Sequence, residues 1–442
     1  MKIQISDQFT FKKLLRFSLP AIIMMIFTSI YGVVDGFFVS NFVGKTPFAA
    51  VNFIMPFLMI LGCIGFMFGT GGSALISKTM GEGKLDKANH IFSLLVYVAL
   101  ILGIILAILG IVFVRPIASL LGAEGVLLDQ CALYAKVVLL ALPAFILQYA
   151  FQSFFVTAEK PQIGLYVTLC AGITNIILDA LFVAGFRWGL VGAAAATALS
   201  QCVGGIIPIL YFSRKNTSSL RLGKTTFDGR TLIKTFTNGS SELLSNISMS
   251  LVSMLYNMQL MKYAGENGVA AYGVLMYVNM IFIASFIGYS VGTAPIISYH
   301  YGAGHPKEIS GILKKSFIII GIFSVGMFIL GESLARPLSM IFVHYDKELF
   351  QLTIRAFFFF SFSFLFSGIA IYSSSFFTAL NNGLISALIS FLRTLVFQIA
   401  AVLILPYFLK IDGIWMSIIV AEIMAAMLSI LFIFFYRKKY QY

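Results

Sequence analysis

Long apolar runs separated by short polar stretches dominate this 442-residue chain. Most runs hold about 20 or more residues, the length with which an α-helix crosses a bilayer, rather than the ten-residue alternation of a membrane β-barrel. A backbone in lipid must satisfy its own hydrogen bonds, so these runs are predicted to be helices. They predict twelve spans, at residues 14–43, 47–77, 90–113, 127–157, 161–186, 189–212, 231–263, 268–299, 312–332, 350–380, 383–406 and 412–436.

The composition agrees with a polytopic membrane protein. Hydrophobic residues make up 60% of the chain and charged residues only 11%, against roughly 25% charged residues in soluble domains. The net charge of +13 would suggest nucleic acid as the partner of a soluble chain, but loops on one membrane face explain it better. We therefore expect membrane lipid and no nucleic acid as partners. The four cysteines lie in apolar stretches without metal-site spacing, so neither a metal nor a cofactor is expected.

The distribution of basic residues predicts the orientation. Twelve spans place both termini on one side, and of the 30 Lys and Arg residues 20 lie on that side, while Arg393 lies inside a span. The opposite side has nine: Lys45, Arg115, Lys136, Arg187, Lys262, Arg336, Lys347, Arg355 and Lys410. By the positive-inside rule both termini are predicted to be cytoplasmic, in a multi-pass protein of the cell membrane.

An internal repeat relates the two halves of the chain. GKTPFAAVNFIMPFLMI at 44–60 matches GENGVAAYGVLMYVNMI at 265–281 with an offset of 221 residues. At the same offset, GGSALISKTMGEGK at 71–84 falls on GTAPIISYHYGAGH at 292–305. A six-span repeat gives two parallel halves related by an axis along the membrane normal, an architecture typical of transporters.

The domain boundaries follow from the repeat and from the longest polar stretch. We predict an N-terminal six-helix lobe at 1–212, a cytoplasmic linker at 213–230 and a C-terminal six-helix lobe at 231–442. The predicted fold class is an all-α polytopic membrane protein with twelve transmembrane helices in two six-helix lobes related by pseudo-two-fold symmetry. The substrate path is expected between the lobes.

Four polar residues of the N-terminal half lie at similar depths in the predicted membrane. At ~1.5 Å per residue, Asp35, Asp179 and Thr197 are each about 12 Å below the outer surface, and Asn175 is one helical turn deeper than Asp179. A charge at such a depth is costly and therefore suggests a function. Two carboxylates beside an amide and a hydroxyl can share a proton or hold Na⁺, so we predict a cation-coupling site. The alternative is a set of structural hydrogen-bonding groups.

Three charged residues of the C-terminal half lie near the predicted midplane: Glu242, Arg393 and Glu422. Arg393 can hold one or both glutamates ionised. We predict that they form a charge network or contact substrate, and the alternative is a structural lock within the lobe. In the repeat Asp35 falls on Tyr256 and Asp179 falls on Gln398. The acid pair therefore belongs to one half alone, which favours ion handling in the N-terminal lobe.

Several segments together resemble the multidrug and toxic compound extrusion (MATE) family: LPAIIMMIFTSIYGVVDGFFVSNFVG (19–44), GGSALISKTMGEGK (71–84), TNIILDALF (174–182), GAAAATALSQ (192–201) and FLRTLVFQIAAVLILP (391–406). The resemblance covers essentially the full length. It implies a V-shaped pair of six-helix lobes and a monomer. It also implies an efflux antiporter that exports small amphipathic, often cationic drugs in exchange for H⁺ or Na⁺.

The resemblance also implies roles for individual residues. Asp35 and Asp179 match acids that the family uses for cation coupling, and Asn175 and Thr197 match their neighbours. Glu242 matches a functional acid of the seventh span. One departure concerns the coupling ion, because the sodium-coupled branch has an acid in the tenth span, whereas 356–380 has none. This favours protons.

Two other classes of function were weighed. A flippase for lipids or lipid-linked oligosaccharides, of related two-lobed architecture, would need a large basic cavity between the lobes, but the buried charges here are mostly acidic. A membrane enzyme would need a metal motif or a nucleophile constellation, and the sequence contains no HExxH and no Ser/His pair in register. We therefore predict that the protein is not an enzyme.

Overall fold

The computed structural model describes residues 3–343 and 346–442, without the side chains of Val33, Ser40, Lys45 and Phe342. Lys2, one of the basic residues in the orientation argument, lies outside the described residues. Within the described ranges the secondary structure is helical, without strands. Long apolar segments form helices because each residue can then bond its own backbone in lipid.

Six helical spans form the N-terminal lobe. They are α1 (Phe11–Val43), α2 (Lys45–Gly81), α3 (Leu85–Leu120), α4 (Gly125–Leu140 continued by Leu142–Thr157), α5 (Pro161–Asp179 continued by the π-helical turn Ala180–Gly185) and α6 (Gly189–Ser213).

Six further spans form the C-terminal lobe. They are α7 (229–264), α8 (266–302), α9 (Pro306–Val343), α10 (Lys347–Ser361 continued by Phe364–Ala379), α11 (383–409) and α12 (411–440). Gly265, at φ 61°, separates α7 from α8, and Lys410, at φ 53°, separates α11 from α12.

The predicted number of spans and the predicted fold class are confirmed in the described part of the chain. The sequence did not predict that α4 bends by 59° and α10 by 47°. Pro143 lies in the first turn of the second half of α4, where proline suits the start of a helix. Helices also continue past the apolar runs, as in α3 and α9, because polar helix ends can extend into water.

Left-handed turn residues occupy equivalent places in the two lobes. Each has a φ between +53° and +119° and separates equivalent spans, with offsets of 221 to 223 residues: Gly44 and Gly265, Gly83 and Gly304, Glu159 and Asn381, Arg187 and Lys410. Glycine favours this conformation because it has no Cβ. The structure therefore preserves the repeat even where residue types differ.

Close helix crossings join the lobes in a reciprocal way. A Cβ added at Gly81 of α2 would collide with the Tyr299 carbonyl oxygen of α8, and one at Gly302 of α8 would collide with the Lys78 carbonyl oxygen of α2. Lys78 and Tyr299 are themselves 221 residues apart. Such exchange of equivalent contacts is the signature of a two-fold axis.

A second reciprocal pair lies one layer further from the helix ends. Gly71 of α2 packs on the backbone of Gly239 in α7, and Gly292 of α8 packs on Ser18 in α1. Both pairs lie near the beginnings of α1 and α7 and the ends of α2 and α8, on the side of the chain termini. At the opposite side Phe42 of α1 and Met254 and Met258 of α7 are more than half exposed. The lobes thus meet on the termini side and are splayed on the other.

The segment before α1 also bridges the lobes. Ile5 and Phe9 are each 1% exposed. The Ile5 N–H donates to Glu159 Oε1 at 3.0 Å in the N-terminal lobe, and Lys315 Nζ of α9 donates to the Phe9 carbonyl at 2.5 Å.

The linker between α6 and α7 is packed onto the N-terminal lobe. The Arg221 N–H donates to Asn89 Oδ1 at 2.7 Å, and the Gly223 N–H donates to Ser93 Oγ at 3.0 Å. At its end Asp228 caps α7, and the hydrogen bonds from Thr231 hold the pKa of the Asp228 carboxyl below its ordinary value.

Candidate ion and substrate sites

The N-terminal acid site is centred on Asp35 of α1. This carboxylate is 6% exposed, and Thr197 Oγ1 of α6 donates to Asp35 Oδ1 at 3.3 Å. The same hydroxyl lies 3.1 Å from the Ala193 carbonyl oxygen, with which it competes for the proton. Asp35 thus has one weak hydrogen bond rather than a full set.

Two further polar side chains of the site come from α5. Asp179 is 0% and Asn175 1% exposed, and they lie on one helix face because they are four residues apart. Both act on the Asp35 carboxyl, together with Thr197. Within the described residues, both carboxyl oxygens of Asp179 and both amide atoms of Asn175 have no hydrogen-bond partner. The structure thus brings together the four residues predicted for the cation-coupling site.

Two tyrosines that the sequence analysis missed complete the surroundings. Tyr31, one turn before Asp35, interacts with Asp35 and with Gln148 of α4. Tyr134 of α4 faces Asp35 and Thr197, and its hydroxyl has no partner in the described part of the chain. Four-residue spacing could have indicated Tyr31, whereas Tyr134 is distant in sequence and gave no signal.

Both acids lie next to π-helical turns. Asp179 directly precedes the turn Ala180–Gly185, and Asp35 lies one turn before the turn Val39–Val43. Such turns widen a helix locally and occur frequently at functional sites. They position the two carboxylates where α1, α5 and α6 meet.

The arrangement can accept a proton or a small hard cation. Buried carboxylate oxygens without donors are unstable as free anions, because burial removes their water. An added proton, or Na⁺ among carboxylate, amide and hydroxyl oxygens, would remove that instability. Within the described residues no group of three or more His, Cys, Asp or Glu side chains could hold a metal ion in the way a metalloprotein does.

The C-terminal lobe contains a different polar centre, dominated by an ion pair. Arg393 Nε lies 2.9 Å and 3.1 Å from the two Glu422 carboxyl oxygens, and Arg393 Nη2 lies 2.9 Å from Oε1. Their side chains are 15% and 6% exposed. Arg393 belongs to the π-helical turn Leu392–Val396 of α11. This geometry neutralises both charges.

Glu242 of α7 lies in the same cavity but does not join that pair. Among the described residues its carboxylate has no hydrogen bond and no ion pair, although the Arg393 charge acts on it. The predicted network of three is therefore a closed pair and a separate carboxylate. Arg393 is already saturated by the bidentate contact, which explains the separation.

The positions equivalent to the acid pair are occupied by a satisfied hydrogen bond. The Tyr256 hydroxyl of α7 donates to Gln398 Oε1 of α11 at 2.7 Å. These are the residues on which Asp35 and Asp179 fall in the repeat. The same two places in the two lobes thus hold two unpartnered acids in one and a neutral bonded pair in the other.

A cavity of about 260 Å³ lies within the C-terminal lobe. Glu242, Arg393 and Glu422 line it together with many hydroxyls, and Thr70 and Ser153 of the N-terminal lobe close one end. The sequence analysis missed the hydroxyls. Their four-residue spacing, as in Ser363 with Ser367 and Ser386 with Ser390, was the available signal.

Comparison with known proteins places the chain. The family model MatE matches it twice, at residues 20–181 and 243–404. A multidrug export protein MepA of Staphylococcus saprophyticus is 28% identical over 97% of this chain and 94% of its own. That of Staphylococcus haemolyticus is 28% identical over 74% of each chain.

Solved structures share the fold. One, described as the outward-facing conformation of a multidrug resistance MATE family transporter, superimposes with a TM-score of 0.93 at 22% identity, over 98% of this chain and 97% of the other. The two family matches, one in each half, together cover most of the sequence. The chain therefore belongs to the MatE family.

Proposed function

We propose that the protein is a secondary active multidrug efflux antiporter of the cell membrane, which exports amphipathic cationic compounds in exchange for H⁺ or Na⁺. The relatives named multidrug export proteins, matched over nearly the full chain, support the export function. A transporter of this family is not an enzyme, as the sequence predicted. The observation that carries ion coupling is Asp179, fully buried with both carboxyl oxygens unpartnered among the described residues.

The predicted orientation assigns a direction to the conformation. With both termini in the cytoplasm, the crossings at Gly81 and Gly302 close the cytoplasmic side. The splayed ends of α1 and α7 then face outwards. This supports an outward-facing conformer in which the N-terminal acid site exchanges ions with the outside.

Loading of the site would change helix packing. Two close buried carboxylates repel each other when both are charged, and a proton or Na⁺ removes that repulsion. Asp35 and Asp179 could then approach, which would shift α1 against α5 and α6. The absence of an acid in 356–380 favours H⁺ over Na⁺.

Export follows if ion and drug bind the same conformers with unequal affinity. Ion uptake outside lowers the affinity for drug, drug leaves, and the loaded protein returns to the inward state. Such coupling needs no direct contact between the two ligands, because each shifts one shared equilibrium. Both lobes are in one chain, so the proposed working unit is a monomer.

The flippase alternative fits the C-terminal cavity less well. An anionic lipid-linked substrate would need unpaired basic groups. Among the described residues that line the cavity, Arg393 is the only Lys or Arg, and Glu422 neutralises it.

The test uses purified protein in liposomes. Efflux of a fluorescent lipophilic cation is followed under a pH gradient and then under a Na⁺ gradient, for wild type, Asp179→Asn and Asp35→Asn. The control is Asp129→Asn, which removes an exposed acid of the same lobe that pairs with Arg115. We expect wild type and control to export, and both buried variants to lose coupling.

The outcomes separate the alternatives. Full export by Asp179→Asn and Asp35→Asn would contradict coupling at these acids. Export under a Na⁺ gradient alone would identify Na⁺ as the coupling ion. If wild type moves no cation under either gradient, the multidrug function fails and lipid flipping becomes the hypothesis to test. Light scattering of the purified protein checks the monomer.

A further inference from the structure

The cavity of the C-terminal lobe has one uncompensated negative charge. Arg393 and Glu422 neutralise each other at 2.9 Å. Glu242 lines the same cavity and has neither an ion pair nor a hydrogen bond among the described residues. A ligand that balances this cavity has a single positive charge.

Many hydroxyls around the cavity have already used their hydrogens. Thr70 donates to the Phe66 carbonyl at 2.9 Å, Ser367 to the Ser363 carbonyl at 2.8 Å, and Thr394 to the Ser390 carbonyl at 2.7 Å. A hydroxyl bonded in this way offers only lone pairs to a ligand. The wall they form is therefore rich in hydrogen-bond acceptors.

Amide groups strengthen the same bias. Asn246 Nδ2 donates to the Glu242 carbonyl at 2.8 Å, which leaves Asn246 Oδ1 as an acceptor one turn from the Glu242 carboxylate. On the donor side, Arg393 has two of its nitrogens engaged by Glu422. Acceptors thus outnumber donors around the one free charge.

A buried hydroxyl points independently to a ligand. Ser290 of α8 lines the cavity, is 3% exposed, and its Oγ has no partner within the described residues. Ser153, at the N-terminal end of the cavity, is 2% exposed and equally unpartnered. Buried polar groups in native proteins usually have a hydrogen-bond partner, and those that lack one require an explanation.

The remaining wall is aromatic. Tyr256 and Tyr272 stack with ring centroids 5.5 Å apart and an interplanar angle of 3°. Both line the cavity, as does Phe360. A flat ring can lie along such a wall by stacking.

We propose that this cavity binds aryl cations whose charge resides on N–H donors, such as amidinium and guanidinium compounds, and discriminates against quaternary ammonium cations. Glu242 would accept two parallel N–H bonds from the charged fork, and Ser290 and Asn246 would accept others. This inference rests on the proposed export of organic cations and defines which cations the C-terminal lobe selects.

The discrimination follows from hydrogen bonding rather than from charge. A quaternary cation balances Glu242 but has no N–H, so the surrounding acceptors stay unpaired. Sites built for hydrogen bonds reject analogues that lack them far more strongly than apolar pockets reject a missing methylene. Charge alone would make the two cation classes equal.

The experiment measures binding in detergent, without any gradient. Trp188→Phe removes the exposed tryptophan and leaves Trp415 of α12, one turn before the cavity residue Ile418, as the only reporter. Quenching of Trp415 is titrated with benzamidinium and with phenyltrimethylammonium, two aryl monocations. We expect about tenfold or greater preference for benzamidinium, the scale of a charge-assisted hydrogen bond.

Variants locate the binding in the cavity. Glu242→Gln should weaken benzamidinium at least about tenfold, while Glu266→Gln, an exposed acid between α7 and α8, should leave it unchanged. Ser290→Ala should reduce the preference while the protein stays folded. Equal affinity for the two cations, or unchanged benzamidinium binding in Glu242→Gln, would overturn the inference.

Failure here and failure of the proposed function are distinguishable. Binding needs neither a gradient nor the N-terminal acids, so Asp179→Asn should retain the benzamidinium preference. Coupled efflux of a lipophilic cation without that preference would refute only the C-terminal selectivity. The preference without any efflux would refute only the transport proposal.

Discussion

The two lobes share their turns and helix crossings but differ in their polar centres. In the N-terminal lobe Asp179 and Asn175 are buried with no partner among the described residues. In the C-terminal lobe the equivalent pair, Tyr256 and Gln398, is hydrogen-bonded at 2.7 Å. A group that the protein leaves unsatisfied can be completed by a mobile ion, whereas a satisfied group needs none. The comparison therefore separates a centre suited to loading from one suited to holding structure.

The ion pair sharpens this contrast. Arg393 and Glu422 stabilise the C-terminal centre only as a pair, because either charge alone would be buried without compensation. The N-terminal acids have no cationic partner that a substitution could leave unpaired. Neutralising substitutions should thus be harmful to folding in one lobe and harmless in the other.

The largest expected effect tests the ion pair. Arg393→Met should destabilise the protein by about 3–5 kcal/mol, because Glu422 is left buried and unpaired. Thermal unfolding in detergent measures it. The double variant Arg393→Met with Glu422→Leu should recover most of the loss. Arg355→Met breaks a comparable pair with Asp412, but at 61% exposure of the arginine it should cost no more than about 1 kcal/mol. Equal losses at both arginines would show that burial does not decide.

The second effect compares two buried tyrosines. Tyr256→Phe leaves Gln398 Oε1 without its donor and should cost about 1–3 kcal/mol. Tyr134→Phe removes a hydroxyl that has no partner within the described residues, so it should be neutral or slightly stabilising. Unfolding curves of the two variants decide, and an equal loss in both would refute the distinction between a satisfied and an unsatisfied centre.

The smallest effect concerns the caps at the first helix of each lobe. Thr10 caps α1 by accepting from the Lys13 N–H at 3.3 Å, and Thr10→Ala should cost about 0.5–1 kcal/mol at any pH. Asp228 caps α7, and hydrogen bonds from Thr231 hold the pKa of its carboxyl below the ordinary value. Its contribution is therefore present above the unfolded pKa and is lost as the pH falls through the folded pKa.

A pH series separates the two caps. The difference in melting temperature between wild type and Asp228→Ala should shrink as the pH falls below about 4, the ordinary range of an aspartate. The corresponding difference for Thr10→Ala should stay constant. A constant difference for Asp228→Ala would show that the charge of this cap does not contribute.

Sequence reasoning predicted the spans well and the contacts within them unevenly. Asp35, Asp179, Asn175 and Thr197 could be placed together because depth along a helix follows from residue count alone. Depth also placed Glu242 beside Arg393 and Glu422, but it could not show that Arg393 binds one glutamate and not the other. That choice depends on how α7, α11 and α12 rotate about their axes.

The bends and the missed residues have similar causes. The bends in α4 and α10 occur inside continuous apolar runs, where hydropathy gives no signal. Tyr134 reaches the acid site because α4 packs beside α1 and α6, and Ser290 lines a cavity formed by helices distant in sequence. Neither neighbour relation is encoded in local periodicity.

The sequence by itself determined the helices, their number, the repeat and the depth of each buried charge, because lipid demands internally bonded backbone and each helical residue adds a fixed rise. Only the tertiary structure decided which polar atoms are satisfied. The Asp179 oxygens lack donors and Glu422 has two nitrogens of Arg393 because partners across helices depend on packing angles and rotation, to which the composition of a single span is blind.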